Sequence, residues 1–102
     1  MGAITNGKDF NFYAEVTVAN TASFPAEEQV FINIRGQRGL ILHNTGGAEV
    51  TYSFNGNTVH GKLTAAGGAA AIKQFDNRPV SKIWFYCASG SNVVRIEAWT
   101  GA

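Results

Sequence analysis

Few side chains in this sequence belong to the types that perform catalysis or bind metals. The chain has two histidines, His43 and His60, and one cysteine, Cys87. A protein zinc site needs three or four Cys, His or carboxylate ligands, and neither histidine has further ligands at the usual spacing. Asp76 or Glu49 could approach a histidine in the folded chain, but the pattern itself predicts no metal site and no cofactor.

The lone cysteine is predicted to be a packed core thiol. A nucleophilic cysteine needs a lowered pKa and a nearby base, whereas Cys87 follows Phe85 and Tyr86 in an apolar run. Free cysteine is also among the most buried residue types. A single cysteine cannot form an intramolecular disulfide, which favours synthesis inside a cell over the secreted, disulfide-rich class.

The acidic residues show no catalytic pairing. Asp9, Glu15, Glu49, Asp76 and Glu97 are scattered over different parts of the chain, and nothing singles out two of them as a glycosidase pair. No nucleophile elbow and no phosphate-binding loop is present in the sequence. We therefore predict that the protein is not an enzyme.

Neither nucleic acid nor membrane is an expected partner. The net charge is only +1, too small to drive binding by release of counterions. The segment 36–39 (GQRG) has the outline of a backbone-clamping G-x-x-G loop, but such loops join helices, and here the flanking segments are predicted strands. Arg35 and Arg38 flank it as a small positive spot. No stretch approaches the roughly 20 apolar residues of a membrane span.

Alternation of apolar and polar residues predicts about eight β-strands. They lie at 11–19, 29–35, 39–44, 48–54, 58–64, 69–75, 81–88 and 92–99. Many short strands separated by turn signals are typical of a sandwich, a jelly roll or a small barrel. We predict an all-β, antiparallel, jelly-roll-like β-sandwich over residues 11–102, preceded by an N-terminal arm at 1–10.

Three local predictions accompany this architecture. The apolar run 40–42 (LIL) favours a strand covered on both faces. Asn55–Gly56 favours a tight hairpin turn, with the next strand returning at once. The segment 23–28 favours either a single helical turn or a loop, because Ser23 can cap it and Pro25 suits a first turn.

Two tryptophans are candidates for an exposed binding surface. Alternation places Trp99 on one face of its strand with Arg95, and Trp84 on one face of its strand with Tyr86. Exposed aromatics with arginine are the composition of interface anchors. The alternative is that both tryptophans cover the ends of the core. The candidate partner-binding residues are Arg35, Arg38, Trp84, Arg95 and Trp99.

Part of the chain resembles a known class of proteins. The segments are 49–56 (EVTYSFNG), 59–63 (VHGKL), 81–85 (SKIWF) and 94–99 (VRIEAW). Together they resemble small virion structural proteins of tailed bacteriophages, including capsid decoration (cement) proteins. The resemblance covers about half of the chain and consists of hairpin and core patterns.

The resemblance implies a β-sandwich that sits on the outer capsid surface of a virion, after synthesis in the host cytoplasm. Such proteins often form trimers or dimers and bridge neighbouring subunits of the major capsid protein. Many weak contacts repeated over a symmetric shell would supply avidity. The N-terminal arm would contribute to these contacts.

Two other functions remain open from sequence. A carbohydrate-binding module would stack sugars on exposed aromatics, for which Trp84, Tyr86 and Trp99 are available. A phage tail or receptor-binding component would share the same composition. An enzyme with a cupin-like metal site is the weakest candidate, because it would need at least three converging ligands.

Overall fold

The strands follow the alternation of side chains in residues 11–34 and 36–100, the part of the chain that the computed structural model describes. Within it lie nine strands and no helix. They are β1 (Asn11–Thr17), β2 (Ala19–Asn20), β3 (Val30–Phe31), β4 (Gly39–Asn44), β5 (Val50–Ser53), β6 (Gly61–Leu63), β7 (Ile72–Asp76), β8 (Lys82–Cys87) and β9 (Val93–Trp99). The prediction of an all-β sandwich is confirmed.

The strands form two sheets whose pairs are nested. The first sheet has the order β1-β9-β4-β7, and the second has the order β2-β8-β5-β6, with β3 also paired to β8. All pairs are antiparallel except β2 with β8. Because β1 pairs with β9, β3 with β8, β4 with β7 and β5 with β6, the chain is a rolled-up hairpin, which is the jelly-roll arrangement.

The core lies between the two sheets and is built from the predicted inward positions. Burial of apolar surface stabilises the fold by roughly 25 cal/mol per Å² removed from water. The strands β4, β8 and β9 contribute most of the fully buried side chains, namely Leu40, Leu42, Ile83, Phe85, Cys87, Val94, Ile96 and Ala98. The prediction of a packed thiol at Cys87 is confirmed.

The predicted strand 11–19 is divided between the two sheets. β1 ends at Thr17, and β2 begins at Ala19 on the edge of the other sheet. Val18 lies between them, is buried, and donates its N–H to the carbonyl of Asn92 at 2.9 Å. The chain crosses the edge of the sandwich here, which alternation alone does not reveal because the apolar residue still points inward.

Other boundaries also differ from the predictions. The strand predicted over 29–35 is reduced to β3, and next to it the Gln29 side-chain oxygen accepts the N–H of Phe85 at 2.7 Å. The segment 23–28 is a loop without a helical turn. Ile41 is only half-buried, so the expectation that both faces of β4 are covered is wrong.

The β5–β6 connection is wider than the predicted tight hairpin. It spans residues 54–60, because the Asn55 side-chain oxygen accepts the N–H groups of Asn57 and Thr58, both at 2.8 Å. This Asx-type arrangement replaces the two-residue turn. Gly56 has a φ of 82°, the left-handed conformation for which glycine is favoured.

Candidate functional site

The outer face of the second sheet is partly covered by the chain's own loops. A Cβ on Gly56 would come within 3.0 Å of the Trp84 indole, so the 54–60 loop lies directly on that ring. Phe24 packs edge-on against Tyr86, with 4.8 Å between ring centroids. Thr51, which points outward beside Tyr86, is buried as a result. Trp84 and Tyr86 are therefore only half-buried rather than open, whereas Phe31, opposite Lys82 on the same face, remains 52% exposed.

The outer face of the first sheet has no such cover among the described residues. Tyr13 on β1 is 55% exposed and Ile72 on β7 is 57% exposed, although both are large and apolar. Ile41 and His43 lie between them and are half-buried. A shallow depression of about 340 Å³ runs across the face, lined by Tyr13, Ile41, His43, Ile72, Arg95 and Glu97.

Strand register arranges these side chains in two rows, because residues opposite one another share a face. One row crosses the sheet as Tyr13, Glu97, Ile41 and Gln74. The next row crosses as Glu15, Arg95, His43 and Ile72. The first row ends on Tyr13 and Gln74 at the two sheet edges and has Glu97 on β9. The second row ends on Glu15 and Ile72 and has Arg95 on β9.

The charges on this face are incompletely paired. Arg95 Nε lies 3.6 Å from Glu15 Oε2, an exposed pair that contributes little to stability. The Tyr13 hydroxyl donates to the same carboxylate, and this hydrogen bond raises the pKa of Tyr13. Glu97 makes no ion pair with any described residue. The carboxylate in the middle of the face is therefore open to a cationic group of a partner.

Trp99 covers a glycine at one end of the face. A Cβ built on Gly39, its neighbour in register, would overlap the indole ring. The ring therefore lies against the β4 backbone at Gly39 and is half-buried. Glycine is required here because only its missing side chain leaves room for the indole.

Replacing Gly39 with alanine is expected to push the Trp99 ring away from β4 into water. The measurement is tryptophan fluorescence, whose emission should shift to longer wavelength in the folded variant. Gly47→Ala is the matched control, since a Cβ at Gly47 meets no atom within 4 Å. An unchanged spectrum for Gly39→Ala would show that the ring does not depend on the glycine.

The five candidate residues predicted from sequence are not all brought together. Arg95 and Trp99 lie on the open face, and the exposed Arg38 is beside them, its N–H donating to the Trp99 carbonyl at 2.7 Å. Trp84 lies on the other sheet beneath the 54–60 loop. Arg35 lies outside the described residues. Neither tryptophan is among the described side chains that pack against the core.

The sequence pattern did not identify Tyr13 and Ile72 as members of the surface. The outward position of Tyr13 follows from the alternation of β1, but alternation does not say whether a second layer covers that side. Ile72 belongs to a strand whose apolar residues do not alternate clearly. The combination of two exposed apolar side chains on opposite edges needs the sheet order, which the sequence does not contain.

A second cluster of aromatic rings lies where β5 and β7 face each other. Phe54 stacks on His60 at 5.2 Å and meets Phe75 edge-on at 5.4 Å. The Arg78 guanidinium lies 5.0 Å from the centre of the Phe54 ring. Tyr52 closes the inner side of the cluster, and its burial raises the pKa of its hydroxyl.

His60 has a structural partner in this cluster. Its Nδ1 accepts the N–H of Phe54 at 3.0 Å, which places the ring proton on Nε2. Phe54 and His60 are held in place by this bond at the two ends of the 54–60 loop. This hydrogen bond gives His60 a structural role in closing the 54–60 loop, and it does not indicate a catalytic role.

The described part of the chain contains neither a group of metal ligands nor a helix that could span a membrane. Across residues 11–34 and 36–100, no group of three or more His, Cys, Asp or Glu side chains could hold a metal ion. In the same residues, no helix has the length and apolar character needed to cross a membrane.

Comparison with known proteins gives structural similarity only. No protein-family model matches the chain, and no curated protein is detectably similar to it in sequence. Among solved structures, it is similar to the SPBc2 prophage-derived protein YomS at 16% identity and a TM-score of 0.49, over 88% of this chain and 95% of that one. It is also similar to a chain of the Bacillus endospore appendages, described as disulfide-linked pili, at 16% identity and a TM-score of 0.45, over 97% of this chain and 95% of that one. At such identities, similarity says nothing about function.

Proposed function

We propose that this chain is a non-enzymatic structural protein of a tailed-phage virion, and specifically a capsid decoration protein. It would be made in the host cytoplasm, assemble as a dimer or trimer, and bind the major capsid protein on the outer surface of the head. Bridging neighbouring subunits would stabilise the shell. The resemblance of segments 49–56, 59–63, 81–85 and 94–99 to tailed-phage virion proteins supplies the virion context.

The single observation that supports binding is the contrast between the two sheets. In the second sheet the loops at Gly56 and Phe24 lie over Trp84 and Tyr86 and, of its aromatic side chains, leave only Phe31 exposed at the β3 edge, whereas no described loop lies over the first sheet, which leaves Tyr13 and Ile72 exposed. Exposed apolar side chains grouped on one face mark interaction surfaces when they form a patch. The face is wide and shallow, as expected for a protein partner rather than a small substrate.

Glu97, which makes no ion pair among residues 11–34 and 36–100, adds a chemical requirement for the partner. A carboxylate flanked by Tyr13 and Ile41 would lose hydration when the face is covered, and an unpaired buried charge is costly. A capsid surface that binds here should therefore place a lysine or arginine opposite Glu97. Arg95 is already beside Glu15 and supports solubility of the free face.

A carbohydrate-binding module is the alternative function. The aromatics first considered for sugar stacking are only partly open, since Trp84 lies under the 54–60 loop and Trp99 lies against Gly39. A different platform exists at Phe54 and His60, with Arg78 above it. Rings with an adjacent hydrogen-bond donor suit a sugar, so glycan binding is tested beside capsid binding.

Co-sedimentation with intact heads of the phage or prophage that carries the gene tests the proposal. The wild-type chain should bind heads saturably, and Ile72→Arg should weaken binding at least tenfold, about 1.4 kcal/mol. Val59→Arg is the matched control, because Val59 is 50% exposed but lies in the 54–60 loop. It should leave the affinity within about twofold of the wild type.

Two results would overturn the proposal. The first is absence of wild-type binding to heads together with saturable quenching of fluorescence by glycans, which would favour the carbohydrate-binding alternative. The second is binding to heads that Ile72→Arg and Val59→Arg weaken equally, which would exclude the outer face of the first sheet as the contact surface.

A further inference from the structure

β1 is a long strand at the edge of the first sheet. It spans seven residues, pairs with β9 on one side, and has no described strand on its other side. Natural proteins usually protect such edges with lysine, proline or a bulge. The β1 sequence NFYAEVT contains neither lysine nor proline, and its register with β9 runs without interruption.

The direction of the backbone groups of β1 follows from the hydrogen bonds at its end. Val18 N–H donates to the Asn92 carbonyl, and this pair continues the register Thr17↔Val93 by one residue. In an antiparallel ladder, hydrogen-bonded pairs alternate with pairs that are not bonded to each other. The even-numbered residues of β1 therefore bond to β9, and the odd-numbered residues direct their N–H and C=O groups away from it.

The hydrogen bonds that β9 makes on its other side agree with this assignment. The carbonyls of Val93 and Trp99, both odd-numbered, accept N–H groups from Thr45 and Arg38 on the β4 side of β9. The outer edge of β1 is thus lined by the main-chain groups of four residues that no described strand pairs with, namely Asn11, Tyr13, Glu15 and Thr17.

A second copy of β1 fits this edge when it runs antiparallel. The midpoint of Asn11–Thr17 is Ala14, so a two-fold axis there pairs all seven residues. Tyr13 then lies opposite Glu15 of the second copy, and each such pair exchanges two main-chain hydrogen bonds. Tyr13 already donates its hydroxyl to a Glu15 carboxylate within one chain, so this cross-strand pair is chemically suited.

The inward side chains also match across this axis. Phe12 would face Val16 of the second copy, and an aromatic beside a β-branched residue is a favourable cross-strand pair. Both side chains are only half-buried in the single chain. Ala14 would face its own counterpart, where a small side chain avoids crowding at the axis.

Other symmetric registers are less favourable. An axis at Glu15 would place two carboxylates directly opposite each other, which destabilises a strand pair. An axis at Tyr13 would place Val16 and Thr17 opposite positions that lie outside β1. The most extensive register is therefore also the one without a repulsive pair.

We propose that two copies of this chain associate edge to edge through β1, about a two-fold axis at Ala14, to form one continuous eight-stranded sheet. The inference deepens the proposed function, because its role rests on the proposed assembly in a virion, but the dimer itself does not require a capsid. It would place two outer faces side by side on one surface and so make each dimer bivalent.

Cysteine cross-linking tests the register directly. Tyr13→Cys and Glu15→Cys chains are mixed and oxidised, and a disulfide-linked dimer is expected in the mixture but not with either variant alone. Opposed residues in a hydrogen-bonded pair have Cα atoms about 5.5 Å apart, which is within the range for a disulfide. The native Cys87 is buried and does not interfere.

Charge substitutions at Tyr13 and Glu15, followed by sedimentation, test the association without an introduced cysteine. The wild-type chain should sediment as a dimer, and Tyr13→Glu should raise the dissociation constant at least tenfold by opposing two carboxylates. Adding Glu15→Lys to that variant restores an opposite-charge pair and should recover the dimer. Ile72→Arg lies on the other edge strand and should leave the dimer intact, so loss of head binding and loss of dimerisation are separable.

The proposal is overturned by a wild-type chain that is monomeric or trimeric in solution. It is also overturned if Tyr13→Cys alone cross-links as strongly as the mixture, because that result belongs to another register. Failure of head binding with an intact dimer would reject the proposed function and leave the β1 interface standing. Head binding by a monomer would reject the β1 interface and leave the proposed function standing.

Discussion

Replacing Asn44 with alanine is expected to lower the free energy of unfolding by about 3–6 kcal/mol, because three hydrogen bonds of a buried amide are lost together. The Asn44 side-chain nitrogen donates to the carbonyls of Ala48 and Thr64 at 2.8 and 3.0 Å. Its oxygen accepts the N–H of Gly46 at 2.9 Å. The side chain is fully buried, so alanine would leave these backbone groups without partners.

The measurement is equilibrium unfolding in urea, read by the midpoint and the slope. Asn33→Ala is the matched control, since Asn33 is exposed, and it should change the stability by less than about 0.5 kcal/mol. If the two alanine variants unfolded at the same urea concentration, the Asn44 amide would not be the connection between β4 and the neighbouring loops that its contacts describe.

The burial of a polar side chain at Asn44 is not predicted by the sequence pattern. It ends β4 at an inward position where alternation predicts an apolar residue, and asparagine in a sequence more often indicates a turn. Two of its partners, Gly46 and Ala48, lie in the loop that follows it, and the third, Thr64, follows β6 and is 20 residues away. Only the folded arrangement of 44–48 and 64 explains why a polar side chain belongs there.

The core was predictable because each inward residue is marked by its own neighbours. In β9, Val94, Ile96 and Ala98 alternate with exposed Arg95 and Glu97, and all three are buried. Period-two alternation is a local property of a strand. The crossing between sheets at Val18 was not predictable, because it changes the partner strand without changing the side that points inward.

The candidate site was harder to predict for the same reason. Alternation gave the outward positions of Trp84 and Trp99, but coverage depends on where distant loops fold. The 54–60 loop reaches Trp84 through Gly56, and no described loop reaches Tyr13 or Ile72 in this way. Which of the two sheets has an open outer face depends on tertiary structure, and the apolar run in β4 pointed the other way, because it predicted that Ile41 would be covered.

The proposed β1–β1 dimer and the proposed contact with the capsid are compatible with each other. A β1–β1 dimer would extend the first sheet sideways and leave its outer face open. The apolar side chains of that face are near both edges, at Tyr13 and at Ile72, so dimerisation would gather two Tyr13 rings near the centre of a wider face. Such a surface would contact two capsid subunits at once, and avidity would compensate for modest contact strength at each.

Replacing Phe85 with alanine is expected to cost about 3–5 kcal/mol of stability, since truncation of a fully buried aromatic leaves a cavity in addition to lost burial. Phe85 is 0% exposed in the centre of β8 and lies in the core between the sheets. Its backbone is fixed on both sides, by Tyr52 in register and by the Gln29 side chain. The surrounding structure therefore has little freedom to collapse into the cavity.

Phe31→Ala is the control, because Phe31 lies on the neighbouring strand β3 but is 52% exposed. It should change the stability by no more than about 0.5 kcal/mol in the same urea titration. Both residues are phenylalanines in strands paired to each other, so composition and strand propensity are matched and only burial differs. Equal destabilisation by the two substitutions would contradict the assignment of Phe85 to the core. It would require a sheet register in which the other side of β8 faces inward, which would also turn Trp84 and Tyr86 toward the core.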